Sequence, residues 1–269
     1  MPDPKSVDNR YLAIAEKIFF EKYKKGTTEI PFDRDELPAA AKKLGIVLPK
    51  NLGDIVYSIR YRAPLPKRIA ATQPPGKEWI IEGCGRGRYA FKLVVVSRIL
   101  PNTQIAAIKI PDATPEIVGA YALSDEQALL AKVRYNRLVD VFLGLAAYSL
   151  QNHLRTTVKG VGQVEIDELY AGVDRHGRQF ILPVQAKGGS DKLSTVQTKQ
   201  DMACCAEKFP ALICRAIAAQ FVEDDLIALF ELTLQNGEVR IAEEKHYRLV
   251  PAAAIEAEDL KGYAAINGV

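Results

Sequence analysis

Little in this sequence suits sulfur or zinc chemistry, and no stretch of it suits a membrane span. Among 269 residues there are three histidines and four cysteines, Cys84, Cys204, Cys205 and Cys214. No two cysteines form a C-x-x-C pair, and no histidine stands near them at zinc-ligand spacing. That excludes the common structural zinc motifs and makes reduced thiols in a cytoplasmic setting the expectation. Cys204 and Cys205 read as small apolar residues of a helix. No apolar run reaches the roughly 18 residues of a membrane helix. The longest candidate, 138–150, is interrupted by Asp140 and Gly144. The opening residues, MPDPKSVDNR, lack the apolar stretch of a signal peptide. Neither an internal repeat nor a low-complexity tract is present. What remains is a chain with 48% hydrophobic residues, enough for one large globular domain or two smaller ones.

The net charge of +3 conceals an asymmetry. Residues 1–120 hold 20 Lys+Arg against 13 Asp+Glu, a surplus of +7; residues 121–269 hold 16 against 20, a balance of −4. A basic half beside an acidic half suggests an anion-binding module joined to one that carries carboxylates. Chance solvated surface is the alternative.

Residues 7–25 place Leu12, Ala15, Ile18, Phe19 and Tyr23 at helical spacing, stopped by Gly26. A short strand-like run, 27–32, precedes a helix over 34–44, with Asp33 and Glu36 spaced as a capping box. Asn51 opens a second helix, 52–62. Its Leu52, Ile55, Val56 and Ile59 form one stripe, which leaves Tyr57, Arg60, Tyr61 and Arg62 for the other sides. After the proline-rich 64–75, two strands, 79–82 and 89–96, flank the basic turn GCGRGR (83–88). Helix, strand, helix, helix and hairpin is the order of a winged helix-turn-helix, here over 1–96. In such a module the second helix of the pair enters the major groove of double-stranded DNA, and the hairpin tip touches phosphate or the minor groove. Tyr57, Arg60, Arg62, Arg86 and Arg88 are therefore candidate DNA contacts. Residues 97–123, with three prolines, read as a connection between domains. Ser124 reads as the cap of a long helix, 125–154, whose second half is apolar nearly all round and so buried.

The stretch 162–188, GQVEIDELYAGVDRHGRQFILPVQAKG, carries the chemistry. Two strand-like runs, 163–170 and 180–187, flank the turn 174–178 with its Gly177. At a period of two, Gln163, Glu165 and Asp167 share one face, and Val164, Ile166 and Glu168 the other. On the second run Ile181, Pro183, Gln185 and Lys187 share a face. A hairpin would let Asp167, Gln185 and Lys187 converge. Such oxygen donors suit a hard divalent cation, magnesium above all. Asp167 offers a carboxylate, Gln185 an amide oxygen and Ala186 its backbone carbonyl. A cation there polarises a phosphate oxygen and acidifies a bound water, while Lys187 orients that water or offsets transition-state charge. A helix over 190–208 follows, with Gln197 and Gln200 as candidate DNA contacts. Strands over 211–221, 226–234 and 238–250 complete the chain, the last two joined by the hairpin pair Asn236–Gly237. His153, at a helix end in this reading, and His176, in a turn, are given no part in the site.

The order E-I-D, then Q-A-K beginning 18 residues beyond Asp167, between two helices, resembles the PD-(D/E)XK nuclease superfamily. The run from Gln151 through PVQAKGG is similar to its restriction-endonuclease-like members. The likeness covers about 125–235 and rests on a short, degenerate motif. It implies Asp167 as the motif aspartate, Gln185 in the place of the second acid, Lys187 as the motif lysine and Glu126 as an extra acid on the first helix. Gln185 replaces the usual Glu or Asp, and Ile166 the usual proline. With one negative charge fewer at the metal, Glu165 and Glu126 matter more.

The implied architecture is an α+β winged helix-turn-helix followed, over 124–269, by an α/β core with a mixed central sheet flanked by helices. The implied activity is magnesium-dependent endonuclease cleavage of double-stranded DNA by a type II-like restriction enzyme. It leaves a 5′-phosphate and a 3′-hydroxyl, and works as a homodimer if each chain holds one site. Three other readings stay open: a repair or recombination nuclease, a winged-helix regulator with a degenerate nuclease domain, and a winged helix that binds protein.

Overall fold

Polar side chains, more than apolar ones, set where the elements of this chain begin and end. The structure, a computed structural model, describes residues 4–61, 64–95, 98–121, 126–188 and 193–266. It forms two units, one of residues 1–97 with 157–163, the other of residues 98–156 with 164–269.

The first unit contains α1 (Pro4–Lys22), β1 (Glu29–Asp33), α2 (Glu36–Leu44), α3 (Leu52–Tyr61), α4 (Lys67–Ala70), β2 (Lys77–Gly83) and β3 (Arg88–Val95). Half of the expected capping box forms at α2. The Glu36 carboxylate accepts the Asp33 N–H at 2.9 Å, while Asp35 makes no side-chain cap. Gly45 closes that helix in the left-handed conformation (φ 66°). At the start of α3, Asn51 Oδ1 accepts the Gly53 N–H at 3.0 Å. The strands pair antiparallel in the order β1-β3-β2. Phe19 anchors the core. Its ring meets Trp79 and Phe91 edge-on with centroids 5.0 and 5.2 Å away, and stacks on Tyr23 at 5.0 Å. Ile14, Ile18, Leu37, Ile55 and Ile69 close around it.

The second unit contains β4 (Arg98–Ile99), β5 (Ala107–Pro111), α5 (Glu116–Tyr121), α6 (Glu126–Tyr135), α7 (Leu138–Leu143), β6 (Ala146–Val158), β7 (Gly162–Val173) and β8 (Gln179–Lys187). β9 (Leu193–Ser194), α8 (Thr195–Lys208), β10 (Ile213–Cys214), β11 (Ala216–Phe221), β12 (Leu226–Gln235), β13 (Glu238–Val250) and α9 (Ala257–Ile266) follow. Among the described residues, eight strands make one mixed sheet in the order β5-β13-β12-β11-β8-β7-β6, with β10 beside β8. β7 and β8 are antiparallel, as are β11, β12 and β13 in succession. β8 with β11 and β13 with β5 are parallel. Parallel neighbours need a crossover, and α8 is the crossover from β8 to β11. Leu129, Val133, Leu138 and Phe142 of α6 and α7 cover one face through Leu182, Val184, Ala186, Ile217 and Leu229. On the other face Met202 of α8 packs with Ala216, Ala218, Phe230 and Leu232. The chain is thus α+β, with a mixed sheet flanked by helices. No helix among the described residues is long and apolar enough to cross a membrane.

The single helix expected over 125–154 is instead two short helices and a strand, α6, α7 and β6. Asn136 stops α6. Its Nδ2 donates to the Lys132 carbonyl and to Thr114 Oγ1, each at 2.9 Å, and its Oδ1 accepts the Ala113 N–H at 2.7 Å. Arg137 then turns left-handed (φ 49°), and Gly144 (φ 65°) ends α7. A continuous apolar run does not distinguish a buried helix from a buried strand, so these breaks are the deciding features. The segment 97–123 does more than connect: its β5 pairs with β13 at the sheet edge. Ser124 lies outside the described residues. α8 starts later than expected, with Ser194 Oγ accepting the Gln197 N–H at 3.3 Å, and carries Cys204 and Cys205 buried. Asn236 and Gly237, at φ 51° and 77°, form the tight turn between β12 and β13.

Within the first unit the turn after β6 approaches the end of β2 closely. A Cβ on Gly83 would lie 2.1 Å from the Val161 carbonyl oxygen, so one backbone would have to move. Gly83→Ala is expected to cost about 1–3 kcal/mol of stability. Trp79, the single tryptophan, lies on the same strand, and its fluorescence in a urea titration reads the change directly. An unchanged midpoint would show that the two backbones do not meet.

Candidate active site

The ladder between β7 and β8 runs from Val173↔Gln179 to Glu168↔Val184. One residue further, a side chain takes over from the backbone: Asp167 Oδ2 accepts the Ala186 N–H at 3.0 Å. The N–H and C=O of one residue lie on the same side of an extended strand, so the Ala186 carbonyl also turns toward β7. Alternation along β8 sends the Ala186 methyl into the core beneath α6 and α7 and turns Gln185 and Lys187 to the α8 face.

Gln185 is buried, and its amide is fixed. Nε2 donates to Asp201 Oδ2 at 2.8 Å and to Thr198 Oγ1 at 3.2 Å, and Thr198 in turn donates to the Ser194 carbonyl at 3.1 Å. Gln185 Oε1 and Asp201 Oδ1 are buried without a hydrogen-bond partner. Burial pushes the Asp201 carboxyl well above the usual carboxylate range, against the pull of the Gln185 amide. Asp201 was missed by sequence reasoning. Its signal was an acid on the buried face of α8, with Thr198 three residues before it and Cys204 three after.

Burial also raises the Asp167 carboxyl. The Ala186 N–H opposes that rise, and so, more weakly, do the charges of Lys187 and His153, while Glu126 reinforces it. Glu126 opens α6 and its Oε1 lies 3.6 Å from Lys187 Nζ, so Asp167, Lys187 and Glu126 share one neighbourhood. The Glu165 carboxylate turns instead to β6, with Arg155 Nη2 at 3.0 Å and His153 Nδ1 at 3.8 Å. Gln197 Nε2 donates to the Glu165 backbone carbonyl at 3.5 Å, which sets it beside the site from the first turn of α8. Glu168 faces away, fully buried, and accepts from Arg134 Nε at 2.8 Å and Ser149 Oγ at 2.7 Å. His153 stands on β6 rather than at a helix end. The helix end expected there does not form, because the segment that carries His153 is a strand.

A hard cation asks for oxygen donors and retains several waters. The Asp167 carboxylate, the unpartnered Gln185 Oε1 and the Ala186 carbonyl are donors of that kind. No group of three His, Cys, Asp or Glu side chains among the described residues could hold an ion by itself. A cation here would rely on Asp167, neutral oxygens and water.

In the first unit, Arg60 Nε donates to the Ile81 carbonyl at 3.2 Å and ties α3 to β2. Arg86 and Arg88 are exposed at the β2–β3 turn, where Gly85 and Gly87 take positive φ. Tyr57 lies within α3, and Arg62 lies outside the described residues. Comparison with protein-family models, with curated proteins and with solved structures returned no match.

The raised Asp201 carboxyl has a consequence for stability. Above the ordinary range near ~3.9, the unfolded chain has released this proton while the folded chain keeps it. Its contribution is therefore complete below that range and is lost as pH rises toward the folded-state value. Asp201→Asn removes the titration, so its stability relative to wild type should rise between pH 4 and pH 8 in urea unfolding. Parallel pH profiles would show that Asp201 is not held protonated.

Proposed function

We propose that this protein is a metal-dependent deoxyribonuclease that hydrolyses phosphodiester bonds of duplex DNA, in the manner of a type II restriction endonuclease. The observation that carries the proposal is the convergence of Asp167, Gln185 and Lys187 on one strand pair, with Glu126 brought to Lys187 from α6. Asp167, Gln185 Oε1 and the Ala186 carbonyl would hold magnesium, which supplies Lewis-acid polarisation and an acidified water when bound. The Asp167 carboxylate is fixed through Oδ2, so its geometry is set in advance of any ligand. Lys187 brings a partly buried positive charge to the same place, suited to offset charge gathering on phosphate oxygens.

DNA binding is assigned to the first unit. Its order of helix, strand, the helix pair α2 and α3, the short α4 and a hairpin, with the sheet order β1-β3-β2, supports the winged-helix reading. Arg60 braces that fold, so the wing arginines Arg86 and Arg88 take the larger share of the phosphate contacts. One site per chain, with both strands to cut, favours a homodimer. A DNA-binding regulator with a degenerate nuclease unit is the second reading. Its support is the neutral Gln185 and the lack, among the described residues, of an acidic cluster that could hold a metal unaided.

Purified protein with magnesium is expected to cut plasmid DNA, and Asp167→Ala and Lys187→Ala should each slow cleavage by about 100-fold or more. Binding without cleavage in magnesium or manganese would replace the enzyme by the regulator. Discrete fragments would mark restriction, and cleavage confined to damaged or branched DNA a repair role. Arg86→Ala with Arg88→Ala should weaken binding and reduce its salt slope by about 1 per lost phosphate contact. Unchanged affinity would move DNA binding away from the wing.

A further inference from the structure

One stretch from the second half of the chain belongs to the first unit: residues 157–163, which hold the turn between β6 and β7. The Val161 N–H donates to the Val158 carbonyl at 3.2 Å, which makes Lys159 and Gly160 the two central residues of a tight turn. Gly160 takes φ 79°, as the third position of a type II turn requires. Val158 is buried and Lys159 exposed, so the valine anchors the turn and the lysine stands at its tip.

This turn lies on the β2–β3 turn, backbone against backbone. A Cβ on Gly83 would meet the Val161 carbonyl oxygen at 2.1 Å, and one on Gly162 would lie 3.9 Å from the Gly85 carbonyl oxygen. Gly85 also lies against the Arg88 guanidinium, whose Nη2 would be 3.3 Å from a Cβ there. Arg34 joins the group from the chain just before α2, where its N–H donates to the Gly87 carbonyl at 2.7 Å. Arg34, Arg86, Arg88 and Lys159, all exposed, thus come from three segments to one end of the first unit. Asp33 and Asp35 are exposed acids of the same region, while Glu82 is engaged by Lys92 at 2.5 Å. Residues 1–97 and 157–163 together hold 19 Lys+Arg against 11 Asp+Glu, so the four cations sit in a unit whose whole field attracts an anion.

We propose that Lys159 contacts the phosphate backbone of duplex DNA, and that the β6–β7 and β2–β3 turns form one binding surface. The inference rests on the DNA-binding reading of the first unit and adds to it a turn from outside the helix and hairpin module. A lysine meets phosphate as a point charge and reads no base. Its contact displaces counterions, so its loss weakens binding evenly across sequences and flattens the salt dependence.

Fluorescence anisotropy of a labelled duplex, with magnesium omitted and salt varied, tests the assignment. Lys159→Ala should weaken binding roughly 3-fold or more and lower the salt slope by about 1, Lys159→Glu should weaken it further, and Lys159→Arg should bind like wild type. Lys77→Ala is the control. Lys77 is exposed and starts β2, at the end away from Gly83, so this variant loses the same charge from the far end of the hairpin and should keep wild-type affinity and slope. Trp79 fluorescence in urea should give unchanged midpoints for the Lys159 variants. Wild-type binding by Lys159→Ala, an equal loss in Lys77→Ala, or failure of Lys159→Ala to fold would each overturn the proposal. If wild type does not bind duplex DNA, the DNA-binding reading falls and this inference with it. If wild type binds and only the paired change Arg86→Ala with Arg88→Ala weakens it, that reading stands and the role of Lys159 alone is lost.

Discussion

One hydrogen bond fixes the arrangement of the site: the Asp167 carboxylate accepts the N–H of Ala186 where the β7–β8 ladder stops. It pins the register of two strands at the point where register decides chemistry. Gln185 and Lys187 flank Ala186, so both turn to the α8 face while the alanine methyl turns to the opposite core. A slip of one residue would drive Gln185 and Lys187 into the apolar layer beneath α6 and α7 and lift Ala186 out of it. The cost falls on Asp167, whose carboxyl burial raises. The N–H and the lysine charge offset part of that cost, and a bound cation would offset more.

Both faces of the sheet carry buried polar groups at this end. On the α6 side Glu168 meets Arg134 and Ser149. On the α8 side Gln185 meets Thr198 and Asp201. Burying charge and leaving acceptors unpaired contributes little to stability, and apolar residues of similar volume commonly serve it better. Elsewhere the strands are built that way, with Leu182, Val184, Ile217 and Leu229 filling one face. The polar departure is local, and it coincides with the strand end where Asp167, Gln185 and Lys187 gather.

The period of two was legible in the sequence, and with it the shared face of Gln185 and Lys187 and the opposite face of Glu168. So were the Gly45 stop, the Asn51 cap and the Asn236–Gly237 turn, because each is decided by residues within a few positions of one another. The break at Asn136 was not legible. Its bonds run to Ala113 and Thr114, which no local period reports, and without them the apolar run from Leu138 onward looks helical. That one misreading moved His153 from a strand beside Glu165 to a helix end. Arg60 shows the same limit: its place in the amphipathic pattern is outward, but the carbonyl of Ile81, 21 residues later on β2, takes its Nε. Asp201 was hidden differently, because an acid in a helix reads as solvated until the opposing strand is known.

The glutamine in an acid's place then acquires a physical reason. Asp201 lies 2.8 Å from the Gln185 amide in a fully buried position. A glutamate at 185 would set two carboxyls against each other there, and they could not both ionise. An amide instead gives Asp201 a donor and leaves its own carbonyl oxygen unpartnered. On this argument Gln185 and Asp201 are a matched pair, each accounting for the other. Decay of a former site would not by itself retain the second member. A buried carboxyl that served nothing would be replaced at a gain in stability by an apolar residue on the same face of α8. A neutral side chain at 185 therefore counts less against the proposed metal site than its sequence position suggests, and the negative charge such a site would need is concentrated on Asp167.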